Sequence, residues 1–227
     1  LIAKSFRTQD DQVQAVALAV ADLIEKSNKQ TFNLVVTGGG LGIKTLEALG
    51  KAIKQPKKLR IIFCDERFVD YHSPDRNESQ AISAWPTIEA TDFIRYPQPN
   101  GSIESAASEF SNYLDQLYGD PLRNEAIFDL ILLGIGEDGH VASLFPGKSH
   151  SPAWVVAELN SPKSPKERLS LSYEALNRSE RVWFVVGGAS KVDAIKKIRI
   201  GEQLPATKVV GIKETIWWLD DELNDAL

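Results

Sequence analysis

The sequence predicts an α/β protein with a mainly parallel, twisted sheet, helices on both faces and a single domain over residues 1–227. Three observations predict it. Short, branched apolar runs alternate with stretches of helical period. The runs are apolar at successive positions, so each strand is expected to be buried on both faces. Several of them end in glycine-rich turns that open a helix. In such a sheet, ligands bind outside the carboxyl ends of the strands.

In chain order, Asp10 is the expected cap of a first helix running to about Lys29, with Val13, Val16, Leu18, Val20, Leu23 and Ile24 at helical spacing. A strand is expected over 32–37, then the turn Gly38-Gly39-Gly40 and a helix over 41–53. The unit repeats as a strand over 59–64, a charged loop over 65–75 and a helix over 76–84 that Pro86 stops. A short strand over 93–96 precedes a helix over 102–118 with Gly119 as its C-terminal stop. The most apolar strand is 128–133, and further strands are expected over 154–158, 169–172 and 181–186, with a helix over 190–199. Residues 214–227 carry Ile216, Trp217, Leu219 and Leu223 on one stripe and are expected to form a docked amphipathic helix. The best linker candidate, 161–166, is too short to separate domains.

Composition narrows the function. With 227 residues, 43% hydrophobic, 25% charged, 15 Gly and 11 Pro, the chain matches an ordinary globular protein long enough for one large core. A net charge of −5 argues against wrapping nucleic acid, which needs a basic field, but leaves room for an anionic small molecule where cations gather locally. The one cysteine, Cys64, allows neither an internal disulfide nor a cysteine-rich zinc site and points to a reducing compartment, the cytoplasm by default. Residues 15–21 end like a signal-peptide cleavage site, but Asp10, Asp11, Gln12 and Gln14 favour an amphipathic helix. No segment approaches the ~20 apolar residues that span a bilayer, so no membrane partner is expected.

Three loops are candidates for chemistry. The first, Thr37-Gly38-Gly39-Gly40-Leu41-Gly42-Ile43-Lys44-Thr45, joins a strand to a helix whose unpaired N–H groups favour an anion. A nucleotide-binding P-loop needs glycine where Ile43 stands, although the strand ending in Asp65-Glu66 keeps Mg²⁺-dependent nucleotide hydrolysis as a rival. The second loop, Asp65-Glu66-Arg67 through Asp75-Arg76-Asn77, lies beside the first in a parallel sheet, and an arginine there can fork onto a phosphate. The third, Gly134-Ile135-Gly136-Glu137-Asp138-Gly139-His140, matches a dinucleotide fingerprint, but Pro146, Gly147 and Pro152 break the helix that should follow, and two acids would repel a pyrophosphate. It offers instead Asp138 beside His140, a carboxylate able to orient a general base. His72 and His150 read as surface residues, the cations Lys51, Lys54, Lys57, Lys58 and Arg60 as a solvated helix end, and Trp217 and Trp218 as core or interface anchors.

In order, these loops resemble the 6-phosphogluconolactonase family along nearly the whole chain. The most specific piece is the segment from Gly134 to Gly147, whose Ser143-Leu144-Phe145-Pro146 ending is typical of the lactonases; the related glucosamine-6-phosphate deaminases usually continue with Phe-Asn-Glu-Pro. Supporting matches are Asp65-Glu66-Arg67 with Asp75-Arg76-Asn77, the Arg168-Leu169-Ser170-Leu171 strand, Gly187-Gly188 with Lys191, and Trp218-Leu219-Asp220. One departure stands out: Thr37-Gly38-Gly39-Gly40-Leu41-Gly42 replaces the usual Ser-Gly-Gly-Ser-Thr-Pro. The resemblance implies a Rossmann-like sheet and hydrolysis of 6-phospho-D-glucono-1,5-lactone without metal or cofactor, by a monomer or weak homodimer. It implies His140 as general base held by Asp138, with Gly38, Gly39, Gly40, Asp65, Arg67, Asn77, Arg168 and Lys191 around the substrate. The backbone N–H groups of Gly39 and Gly40 are the candidates for the oxyanion, and Arg67, Arg168 and Lys191 for the phosphate. A deaminase or isomerase of the same fold and a non-catalytic sugar-phosphate sensor are the competing expectations.

Overall fold

A computed structural model describes residues 2–123 and 125–224. The chain runs β1 (Ile2–Phe6), α1 (Gln9–Lys26), β2 (Phe32–Val36), α2 (Gly39–Ala52), β3 (Leu59–Phe63), β4 (Asp65–Arg67), α3 (Asn77–Ala84), β5 (Asp92–Ile94) and α4 (Ile103–Tyr118). It continues β6 (Leu130–Leu133), β7 (Val155–Glu158), β8 (Arg168–Leu171), α5 (Tyr173–Leu176), β9 (Arg181–Val186), α6 (Val192–Arg199), β10 (Glu214–Asp220) and α7 (Asp221–Asn224). No helix among the described residues is long and apolar enough to cross a membrane.

Seven strands form one parallel sheet in the order β1-β10-β9-β6-β2-β3-β5. All four residues of β6 are buried, as a strand covered on both faces requires. The chain steps from β2 to β3 in one direction and from β9 to β10 in the other. Right-handed crossovers therefore put α1 and α2 on one face and α4 and α6 on the opposite one. The order reverses between β2 and β6, which opens a crevice at their carboxyl ends. The expected doubly covered parallel sheet is the observed one.

Three readings are corrected. Residues 214–220 form strand β10, not a helix: Ile216, Trp217, Trp218 and Leu219 are all buried, as consecutive residues are only when both faces of an extended chain are covered. Trp217 stacks on Phe184 and Trp218 on Phe6, core contacts that suit aromatic residues to a strand. Helix resumes only at α7, and residues 225–227 of the expected helix lie outside the described residues. Second, the N-terminal segment, assigned no element from sequence, is edge strand β1, parallel to β10. Third, the charged loop begins with strand β4, which pairs antiparallel with β8 in a second sheet of order β4-β8-β7. Three polar residues carry no hydrophobic period, which hid that strand.

Smaller shifts follow from capping and pairing. Thr8, not Asp10, caps α1, accepting the Asp11 N–H at 3.1 Å, while Asp10 sits in the first turn where a negative charge suits the dipole. Lys58 bonds the carbonyls of Ile24 and Ser27 at the far end of α1, and Arg60 pairs with Asp92 at 2.6 Å, so these two cations are engaged rather than simply solvated. His150 is half-buried, and burial lowers its pKa.

Gln12 pins α1 to the sheet. It is fully buried, and its Nε2 donates to the carbonyls of Val186 at 2.9 Å and Trp218 at 2.7 Å. Gln12→Leu strands both acceptors while relieving the unpaired Oε1, for a net loss of about 2 kcal/mol, given that an orphaned buried polar group costs about 1–3 kcal/mol. Urea unfolding will show this as a lower midpoint at unchanged slope.

Candidate active site

Three segments meet at the crevice. From β2 the chain turns through Gly38, the N-cap of α2, into Gly39, which adopts a φ of 77° that a side chain would strain. No side chain caps α2, so its first N–H groups remain available to a ligand. Lys44, central to the P-loop rival, is exposed, lies 3.9 Å from Asp10 and lines neither of the hollows at His140.

From β6 the chain enters a tight turn rather than a helix. The Gly139 N–H donates to the Gly136 carbonyl at 3.1 Å, and the Gly136 N–H to the His140 carbonyl at 2.8 Å. This curls Asp138 back onto His140: Oδ1 accepts the His140 backbone N–H at 3.1 Å and lies 2.6 Å from Nδ1. In a neutral imidazole, such a carboxylate partner favours the proton on Nδ1, which leaves the lone pair on Nε2. Burial pushes the Asp138 carboxyl upward, but the adjacent imidazole and backbone N–H groups outweigh it and hold the group below its usual range. The Phe145 ring packs against the imidazole with centroids 4.5 Å apart.

The third segment is the β4–β8 pair. Its register sets Arg67 opposite Arg168, so both side chains leave the same face of the small sheet. Arg168 is largely buried; its Nε donates to the Pro165 carbonyl and its Nη2 to the Lys163 carbonyl, each at 3.1 Å. Burial lowers its pKa, and the neighbouring Arg67 lowers it further against the opposing carboxylates Asp65, Glu158 and Glu66. Arg67 donates through Nη1 to the Asp75 carbonyl.

Two adjoining hollows share His140 and Arg168. One, about 170 Å³, is lined by Gly38, Gly39, Asp65, Arg67 and Asn77 among others. The other, about 220 Å³, is lined by Glu137, Asp138, Phe145 and Ser161-Pro162-Lys163. Of the ten residues nominated from sequence, eight therefore line a hollow. Gly40 and Lys191 line neither, although Lys191, half-buried, feels the charges of Glu137, Lys163 and Asp138. A larger groove of about 770 Å³ beside α4 is lined by Glu104, Asp115 and Asp120 with no lysine or arginine, a poor match for an anion.

Sequence reasoning missed Phe145 as a wall of the site and treated 161–166 as a linker, whereas Arg168 holds that segment over the second hollow. It also missed Ser143, whose Oγ donates to Asp65 Oδ2 at 2.7 Å and whose N–H donates to Ser170 Oγ at 3.1 Å. These ties fasten the His140 loop to both strands of the arginine pair. The signal was available in the Ser143-Leu144-Phe145-Pro146 run, which served only as a family marker.

The Asp138–His140 pair depends on Gly136, where an added Cβ would lie 2.0 Å from His140 Nδ1 and 2.6 Å from Asp138 Oδ1. Gly136→Ala is therefore expected to break the short Asp138–Nδ1 bond. In proton NMR at low temperature the wild type will show a downfield His140 Nδ1–H signal, and the variant will lack it.

The chain is similar to known proteins over most of its length. Residues 7–218 match the family described as glucosamine-6-phosphate isomerases/6-phosphogluconolactonase. The chain is 34% identical over 204 residues to a 6-phosphogluconolactonase of Mycobacterium leprae, covering 83% of this chain and 82% of that one. It is 32% identical over 204 residues to a 6-phosphogluconolactonase of Synechocystis, covering 86% and 84% respectively. The crystal structure of a 6-phosphogluconolactonase from Thermotoga maritima superposes with a TM-score of 0.82 at 24% identity, covering 97% of this chain and 99% of that one, a likeness of fold. By these matches the chain belongs to the glucosamine-6-phosphate isomerase/6-phosphogluconolactonase family.

Proposed function

We propose that this protein, as one domain, hydrolyses 6-phospho-D-glucono-1,5-lactone to 6-phosphogluconate. The observation that carries this reading is the pair of hollows in which an oriented imidazole, His140, stands with two arginines, Arg67 and Arg168, from opposite positions of one strand pair. One molecule that carries an ester carbonyl at one end and a phosphate at the other uses both features.

In the proposed reaction, His140 Nε2 takes a proton from water as the oxygen attacks the lactone carbonyl carbon. The carbonyl oxygen becomes an oxyanion, and α2 presents its first N–H groups, with Gly39, to that charge. Such a donor is worth about 3 kcal/mol. The tetrahedral species collapses by breaking the bond to the ring oxygen, which receives the proton from His140. Lactone and water are consumed, and an open-chain acid remains. Asp138 keeps the imidazole in one tautomer and stabilises its protonated form, and general base catalysis of this kind contributes about 10²- to 10⁴-fold. Charge-assisted bonds from Arg67 and Arg168 hold the phosphate, Lys191 adds positive field, and Asp65 and Asn77 meet the sugar hydroxyls. The Leu144-Phe145-Pro146 continuation favours the lactonase over the deaminase branch of the family.

Purified protein added to freshly generated lactone is expected to release acid well above the spontaneous rate. His140→Ala will lower kcat by about 10²-fold or more with KM little changed, whereas Arg67→Ala will mainly raise KM. Full activity in the His140 variant contradicts the mechanism. Tight phosphosugar binding without turnover in the wild type favours a sensor.

A further inference from the structure

Glu66 is the middle residue of β4, between Asp65 and Arg67, yet it lines neither hollow and is only 1% exposed. Its two oxygens have separate partners. Oε1 accepts the backbone N–H of Arg67 at 2.7 Å and that of Asn77 at 2.8 Å. Oε2 accepts the Glu78 N–H at 2.8 Å and lies 3.9 Å from Nε of the fully buried Arg76. The N-cap of α3 is Arg76, which supplies no side-chain cap, so a carboxylate from another element satisfies the helix start.

The arrangement is costly. Burial and the nearby Glu78 raise the Glu66 pKa to about 7, even though the backbone N–H groups of Glu78 and Asn77 and the Arg76 guanidinium favour its charged form. Capping of α3 accounts for the bonds to the Asn77 and Glu78 N–H groups but not for the bond to the Arg67 N–H. What this group does, and a smaller cap on α3 would not, is join two residues of the first hollow through a single atom. Asn77 in turn donates from Nδ2 to the Asp65 carbonyl at 3.0 Å, which closes the loop back onto β4.

We infer that Glu66 is a positioning residue whose Oε1 fixes the backbones of Arg67 and Asn77 at the edge of the hollow and so sets the grip on the substrate. The inference rests on the reading of Arg67 as a phosphate contact. Oε1 acts by reach, not by charge, and two substitutions separate these properties. Glu66→Gln loses the charge but keeps an oxygen at the Oε1 position, where two N–H groups outweigh the one left facing its amide. Glu66→Asp keeps the charge but draws the oxygens back by one methylene.

The test is the KM for lactone hydrolysis, with kcat and the thermal midpoint measured alongside. Glu66→Asp is expected to raise KM about tenfold with kcat nearly retained, and Glu66→Gln to keep KM within about twofold of wild type even if its midpoint falls. A merely structural role lowers kcat with the folded fraction and leaves KM alone. An unchanged KM in Glu66→Asp, or a rise in Glu66→Gln as large as in Glu66→Asp, overturns the inference while the functional reading stands. A wild type that turns over no lactone overturns that reading, and the inference with it.

Discussion

Arg67 and Arg168 stand opposite one another in the β4–β8 pair, with their side chains on one face, and Arg168 is nearly buried. Like charges directly opposite in a sheet destabilise it, and burial adds a desolvation cost. Asp65, Glu66 and Glu158 relieve part of that cost from nearby. The fold nevertheless keeps the two cations together, where a doubly charged anion would turn repulsion into binding. On this constraint the rest of the site depends, because the small sheet that creates the juxtaposition also carries the other groups into place.

The parallel sheet provides the frame. The Cys64 N–H donates to the Val36 carbonyl at 2.7 Å, and the Leu171 N–H to the Cys64 carbonyl at 2.8 Å, so the small sheet grows directly from the carboxyl ends of β2 and β3. Ser143 ties the loop after β6 to Asp65 and Ser170. Imidazole, glycine turn and arginine pair thus belong to one hydrogen-bonded unit at the point where the strand order reverses. In the proposed reaction, groups held in this way would need little reorganisation as charge develops.

Much of this was legible in the sequence, for identifiable reasons. Apolar runs such as Leu130–Leu133 announce strands covered on both faces, and Asp138 and His140 stand close enough along the chain for their pairing to be read directly. Other features were not local. Ile216, Leu219 and Leu223 fit a helical stripe as well as a buried strand, and only packing between β1 and β9 decides the matter. The three charged residues of β4 have no period at all, and their strand exists because β8 pairs with them. Lys163 and Phe145 become walls of the site through the grip of Arg168 on its loop and the packing of Phe145 on His140, contacts that no spacing encodes.

The most direct test of the central claim is a crystal structure of the protein with 6-phosphogluconate. The account predicts phosphate oxygens about 2.7–2.9 Å from nitrogens of both Arg67 and Arg168, the distance of charge-assisted bonds, with the carboxylate carbon of the same molecule beside His140 Nε2. A phosphate seated away from the β4–β8 pair, or a carboxylate out of reach of His140, would contradict it.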